Sequence, residues 1–258
     1  NSRLYSTLTS LVARIYQMLV HKEQIVKYVD DIKDGISSND AKLSFESVDS
    51  VRVENLSLTL SDSIIFSGIS FNVKGGSLVG VLGNVGSGKS SLLYTLAGII
   101  KTYSGKVLIN DVNFSELSDF FIRSKVSYYG PDTALISGTL MDNFRFHGIN
   151  KNSDIVKILK FSCPRLPISY EILEIMSVSD LPISNGEKQK MLLLMILNKK
   201  PGLIFLDEPT SFLSQSESSE MLKFIRFTNP QSIIFLATHD LSLRPLFTHV
   251  ISMDNATK

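Results

Sequence analysis

The stretch Gly83-Asn84-Val85-Gly86-Ser87-Gly88-Lys89-Ser90 meets G-x-x-x-x-G-K-[ST] at every fixed position, and it constrains the chain more than any other feature. Ser77 to Leu82 before it (SLVGVL) reads as a buried strand, and Ser91 to Ile99 after it (SLLYTLAGI) as the first turns of a helix. Strand, glycine-rich loop and helix in that order give the motif a mechanism. The glycines let successive backbone N–H groups turn inward on a phosphate. The helix start adds its own unpaired N–H groups and a partial positive charge. Lys89 is expected to reach the terminal phosphates, and the Ser90 hydroxyl to ligate Mg²⁺. The implied ligand is a nucleoside triphosphate, held by Gly83 to Ser90 together with Ser91.

Two further sites of chemistry follow apolar runs. Leu203-Ile204-Phe205-Leu206 ends in Asp207-Glu208, and Ile233 to Thr238 ends at His239. In a parallel sheet, ligands collect at the C-terminal ends of the strands. Asp207 there can hold Mg²⁺ beside Ser90, and Glu208 can take a proton from an attacking water. General-base help of that kind is worth about 10²–10⁴-fold in rate. His239 is placed to touch the terminal phosphate or orient the water. His21, His147 and His249 have no such context. Asp207-Glu208 alone reads as a surface turn; after a phosphate loop it reads as a site.

Composition narrows the remaining classes. A chain of 258 residues with 43% hydrophobic and 20% charged residues can bury a sizeable core. A net charge of +1 gives no footprint for a nucleic-acid partner. One cysteine, Cys163, rules out a disulfide framework and points to a reducing compartment. No run of about 18 apolar residues is present to span a bilayer. The chain starts at Asn1 rather than Met, with no signal peptide in view, so a piece of something longer is expected.

Leu4, Leu8, Leu11, Ile15, Leu19, Ile25, Val29 and Ile32 form a helical stripe ending near Gly35, expected to continue from a missing N-terminal region. Short β-like runs follow at 51–60 and 64–73, then KVLI at 106–109 and KVSYY at 125–129, with a helix expected over 115–124. Residues 139–182 read as mostly helical, with breaks at 148–150 and 163–164. A Met- and Leu-rich helix over 186–197 reads as core, and LIFL and IIFL as central strands.

With these residues in order, residues 45–255 resemble the ATP-binding-cassette (ABC) ATPases. Walker A is Gly83–Ser90, Walker B with its glutamate is Leu203–Glu208, and the switch histidine is His239. Glu208-Pro209-Thr210-Ser211 is similar to the family's E-[AP]-T-S. Ile183-Ser184-Asn185-Gly186-Glu187 aligns with its L-S-G-G-Q signature, and Ser137 to Asn143 (SGTLMDN) looks like the S/G-G-T-[IL]-x-[DE]-N of exporters. The resemblance implies an α/β P-loop fold with a mixed sheet core, an antiparallel β subdomain and a short helical subdomain at about 140–197. It implies residues 1–42 as helix and linker from a missing transmembrane domain, and 43–258 as the cassette. Implied too are ATP and Mg²⁺ as ligands, a second cassette as homo- or heterodimer partner, and Ser184, Asn185 and Gly186 contacting the partner's nucleotide. The cassette would work on the cytosolic or organelle-matrix face of a membrane, its hydrolysis powering an exporter. The alternatives are a regulatory cassette that dimerises on ATP with little hydrolysis, and a soluble, non-transport ABC ATPase.

Several positions depart from the family pattern. Leu60 stands where most relatives stack an aromatic on adenine, and Phe66, by its place in an alternating run, belongs to the core. Pro131 replaces the glutamine that links Mg²⁺ and water to the membrane domain, and it has neither N–H nor amide to offer. Asn185 and Glu187 replace Gly and Gln of the signature. Asn is expected there to tolerate a left-handed backbone, and a carboxylate is unwelcome near phosphates. Ser214 replaces the aspartate after Glu208. The segment between Asn143 and Ile183 is also short for an exporter. An aromatic–base stack is worth roughly 1–3 kcal/mol, so losing it weakens binding about five- to 150-fold. ATP and GTP are therefore expected to displace a fluorescent nucleotide at comparable concentrations; a strong preference for ATP would count against Leu60 as the reason.

Overall fold

The structure is a computed structural model, which describes residues 43–166 and 169–254. The stripe at residues 4–32, and with it the boundary at 42, lies outside the described residues.

Three strands carry the core because almost nothing in them is polar. β3 (Leu78–Leu82), β7 (Leu203–Asp207) and β8 (Ile233–Thr238) are buried at every position. Such runs must be covered on both faces, which parallel sheets achieve with helices or a second sheet. With β6 (Val126–Tyr129) and β9 (His249–Ser252) they form a sheet of order β6-β7-β8-β3-β9, and every pairing in it is parallel. Alternation divides the faces. Leu78, Ile204, Leu206, Ile234 and Leu236 pack into one core with the helices. Val79, Val81, Leu203, Phe205, Ile233 and Phe235 pack into the other, beneath the second sheet.

That second sheet has the order β2-β1-β4-β5, from β1 (Ser50–Leu60), β2 (Ser63–Lys74), β4 (Ser104–Ile109) and β5 (Val112–Asn113), and it is antiparallel throughout. The two strand directions are thus divided between sheets. In β1 the alternation breaks at Asn55, whose φ of 49° accompanies a register shift between Val53 and Leu56. Phe66 is fully buried as expected, and Leu60 stands 42% exposed at the strand end. Phe71 of β2 meets Phe235 at 5.8 Å and Phe235 stacks on Phe205 at 5.3 Å, tying the sheets together. Gly80 has no side chain because a Cβ there would lie 2.3 Å from the Phe247 ring.

The phosphate-loop helix α1 spans Lys89–Leu96. The helix expected over 115–124 is two pieces: a 3₁₀ turn, Phe114–Glu116, and α2, Asp119–Lys125. Ser118 makes the division by accepting from the Phe121 N–H at 3.1 Å as the α2 N-cap. Lys125 ends that helix, and β6 starts one residue later. The region 139–182 is helical in short lengths, as α3 (Leu140–Phe146), α4 (Asn152–Ser162) and α5 (Tyr170–Ile175). α6 (Asn185–Leu197) buries Met191 and Met195 completely, and α7 (Gln215–Thr228) lies beyond β7.

The exporter-like stretch 137–143 has a structural reason. Thr139 and Asp142 form a capping box at the start of α3. Asn143, fully buried, accepts from the Ile136 N–H at 2.8 Å and donates to the Ile136 and Thr139 carbonyls at 3.0 Å each. An isosteric Asn143→Leu orphans the Ile136 N–H and carbonyl and leaves the Thr139 carbonyl only the residue-143 backbone N–H, at 3.3 Å. It is expected to destabilise the domain by about 2–4 kcal/mol in urea titration.

Candidate nucleotide site

The loop after β3 is held open by glycines and fastened from outside. Gly86 and Gly88 adopt φ of 83° and 86°, and Gly88 is the N-cap of α1. A Cβ on Gly83 would lie 2.6 Å from Ser87 Oγ. Asp254 Oδ1 accepts from the Asn84 backbone N–H at 3.1 Å and its side-chain amide at 3.3 Å. Val85, at the tip, is 90% exposed. Lys89 folds back, its Nζ donating to the carbonyls of Gly83 at 2.8 Å and Asn84 at 2.9 Å. Ser91 lies in the first turn of α1, its carbonyl accepting from Thr95 Oγ1.

Two features of this loop fit a phosphate. Ser87 Oγ is buried without a hydrogen-bond partner, which costs about 1–3 kcal/mol and leaves a donor inside the loop. α1 has no side-chain cap and no acid in its first turn, so its positive end is free for an anion.

Parallel register brings the other residues alongside. Leu82 pairs with Thr238 and Asp207 with Ala237, so β3, β7 and β8 end together. Asp207 is 2% exposed. Burial pushes its carboxyl above the ordinary range; hydrogen bonds from Ser90 and Tyr128 pull it back, the Glu208 charge raises it, and the Lys89 charge lowers it. A dry carboxylate joined to a hydroxyl suits a hard divalent cation. Among the described residues no group of three His, Cys, Asp or Glu offers an all-protein cage. A cation here would rest on Ser90 and Asp207, with ligand oxygens and water completing its shell.

Glu208 turns off the strand with φ of 48°, a left-handed backbone uncommon outside glycine. Its N–H donates to the Ala237 carbonyl at 3.0 Å. Oε1 lies 3.0 Å from His239 Nδ1, and Oε2 accepts from Thr238 Oγ1 at 3.4 Å. His239 thus sits on the carboxylate, and the end of β8 aims it.

The signature-like residues lie at the start of α6. Ser184 is the N-cap, and Glu187 Oε2 accepts from its N–H at 2.8 Å and its hydroxyl at 2.9 Å. The Ser184 N–H and hydroxyl hold the Glu187 carboxyl below the usual range. The expectation that Asn185 serves a left-handed backbone is not met, since it is the first helical residue. Gly186 presses on the next loop, where a Cβ would lie 2.9 Å from the Phe212 carbonyl oxygen. Ser214 caps α7 through its own box with Glu217, whose other oxygen holds Lys190 of α6 at 2.6 Å. A serine there keeps the helix-start role that an aspartate would have. Asn185 shares a cleft of about 500 Å³ with Pro131, Lys188, Asp207, Glu208 and Phe212.

Residues 66–211 match the family model described as ABC transporter. The chain belongs to the ABC transporter family. It is 30% identical over 207 residues to a putative ABC transporter ATP-binding protein of Methanothermobacter marburgensis, covering 77% of this chain and 73% of that one. It is 28% identical over 207 residues to the microcin-J25 export ATP-binding/permease protein McjD of Escherichia coli, covering 78% of this chain. The match spans 35% of that exporter's length. A bacterial Atm1-family ABC exporter with ATP bound superposes with a TM-score of 0.72 at 22% identity, covering 82% of this chain and 38% of that one. The chain is therefore an ABC ATPase cassette of the kind that couples ATP hydrolysis to transport. No helix among the described residues is long and apolar enough to cross a membrane.

Three residues around this ABC site escaped the sequence. Tyr128 donates to Asp207 Oδ2 at 3.2 Å. Asp254 fastens the phosphate loop. Ile65 lies against Gly88, where a Cβ would meet its Cγ2 at 3.0 Å. Only Ile65 had a signal, because a neighbour of core-facing Phe66 must face the other way.

The raised folded-state pKa of Asp207 means that stability falls as pH climbs from the unfolded value, about 3.9, through the folded one. The burial penalty is present once the carboxyl is ionised in the folded protein. Nucleotide-free Asp207→Asn is accordingly expected to melt a few degrees above wild type at pH 7.5, with the difference closing as the pH drops below about 4.

Proposed function

We propose that this cassette binds ATP with Mg²⁺ at 83–91 and hydrolyses it to drive an exporter whose membrane-spanning part is not among the described residues. The observation that carries this reading is the convergence of Lys89, Ser90, Asp207, Glu208 and His239 at the C-terminal ends of three neighbouring parallel strands. Lys89 exchanges two carbonyls for phosphate oxygens, and Ser87 gains a partner for its buried hydroxyl. Ser90 and Asp207 hold the cation, which when bound supplies charge neutralisation at the phosphates. Glu208, aimed by His239 and Thr238, accepts the proton of the attacking water.

Ser184, Asn185 and Gly186 act on the nucleotide of a second cassette, which makes dimerisation part of the cycle. The similarity to fused ATP-binding/permease exporters and the helical stripe before residue 35 favour an exporter with residues 1–42 as its linker. The cassette then lies on the cytosolic or matrix face of that membrane. A second reading, a slow regulatory cassette, is favoured by one contact: the Ser184 hydroxyl is committed to Glu187 and must leave it before it can donate to a phosphate.

ATP turnover by the full-length protein and by Glu208→Gln tests the proposal. Turnover is expected to fall by about 10²–10⁴ with ATP still bound. Undiminished turnover in the variant would remove Glu208 as the base, and negligible turnover in wild type would favour the regulatory reading.

A further inference from the structure

Tyr128 lies on β6, opposite Phe205 of β7, and it is held from three sides. Its hydroxyl donates to Asp207 Oδ2 at 3.2 Å. Its ring stacks on Tyr94 of α1, with centroids 5.0 Å apart and planes at 30°. The third side is the loop after β6. A Cβ on Gly130 would stand 2.5 Å from the Tyr128 hydroxyl and 2.6 Å from its Cε1. That loop is closed on itself, with the Gly130 N–H donating to Thr133 Oγ1 and the Thr133 N–H to the Gly130 carbonyl, both at 2.9 Å. The phenol therefore bridges the phosphate-loop helix, the buried carboxylate and the first residue of the loop that contains Pro131.

We propose that Tyr128 is a positioning residue for the cation–nucleotide site: its phenol fixes the rotation of the Asp207 carboxylate beside Ser90, and through Gly130 it makes that carboxylate answer to the position of the 130–133 loop. It deepens the reading above, resting on Asp207 and Ser90 as the cation's holders. A residue needed only for packing has no use for a hydroxyl, and Phe would fill the stack on Tyr94 equally well. The hydroxyl is spent on Asp207, and Gly130 is the residue that leaves it room. With no amide at Pro131, this contact links that loop directly to Asp207.

The test measures Mn²⁺ affinity by electron paramagnetic resonance with a non-hydrolysable ATP analogue on the full chain, nucleotide affinity in EDTA, and the melting temperature. Wild type, Tyr128→Phe, Gly130→Ala and the double variant are compared. Each single variant is expected to weaken Mn²⁺ binding by about ten- to 150-fold, the loss of one hydrogen bond to a charged group. Affinity in EDTA is expected to stay unchanged. The double variant is expected to be no worse than Tyr128→Phe, because both act on one contact. Unchanged Mn²⁺ affinity in a folded Tyr128→Phe overturns the proposal, as does a lowered melting temperature with Mn²⁺ affinity intact. If Tyr128→Phe does not fold, Gly130→Ala decides by the same readout. A wild type that binds nucleotide in EDTA but gains nothing from Mn²⁺ overturns the cation reading, and this proposal with it.

Discussion

Strands β3, β7 and β8 have no face on which to meet water, so their backbone groups must be satisfied by neighbouring strands, one another in the middle and β6 and β9 at the sides. The architecture follows from that requirement. Parallel pairing aligns their C-terminal ends, and alternation gives each strand two sets of apolar side chains to cover. Helices α3, α4, α6 and α7 cover one set; helix α1, through Leu92, Leu93 and Leu96, and the antiparallel sheet, through Phe71 and its neighbours, cover the other. The phosphate loop, Asp207-Glu208 and His239 end up side by side because each follows one of these strands.

At that edge the chain gives up stability. Asp207 carries its carboxylate into a dry site, Ser87 keeps a hydroxyl without a partner, and Glu208 takes a left-handed backbone. Each is unfavourable in the nucleotide-free protein, and each is relieved or put to use by a phosphate, a cation or a water. The surrounding core is made of fully buried aliphatic and aromatic side chains, and it has stability to spare for such positions.

Where local chemistry decides conformation, the sequence was legible. The glycine pattern of 83–88, the unbroken apolar runs before Asp207 and His239, and the breaks at 148–150 and 163–164 each act within a few residues. The single helix expected over 115–124 failed on a local feature read too coarsely, since Ser118 caps a new helix inside it. Asn185 and Glu187 failed differently. Read against a glycine-rich signature they look like losses, but in the structure one starts a helix and the other completes its capping box. The S-x-x-E pattern of a capping box is present at 184–187, and it fixes both residues locally.

By itself the sequence determined the phosphate loop, the strands that carry the carboxylates and the histidine, and membership of a family, because these depend on residue type and spacing along one stretch of chain. Only the tertiary structure decided that Tyr128 reaches Asp207, that Asp254 fastens Asn84, and that Ile65 rather than Phe66 lies on the loop. Those contacts join residues far apart in the chain, and no local pattern encodes a strand order of β6-β7-β8-β3-β9. Which side chains meet at the edge of a sheet is set by which strands become neighbours, and that is settled by the burial of the whole core at once.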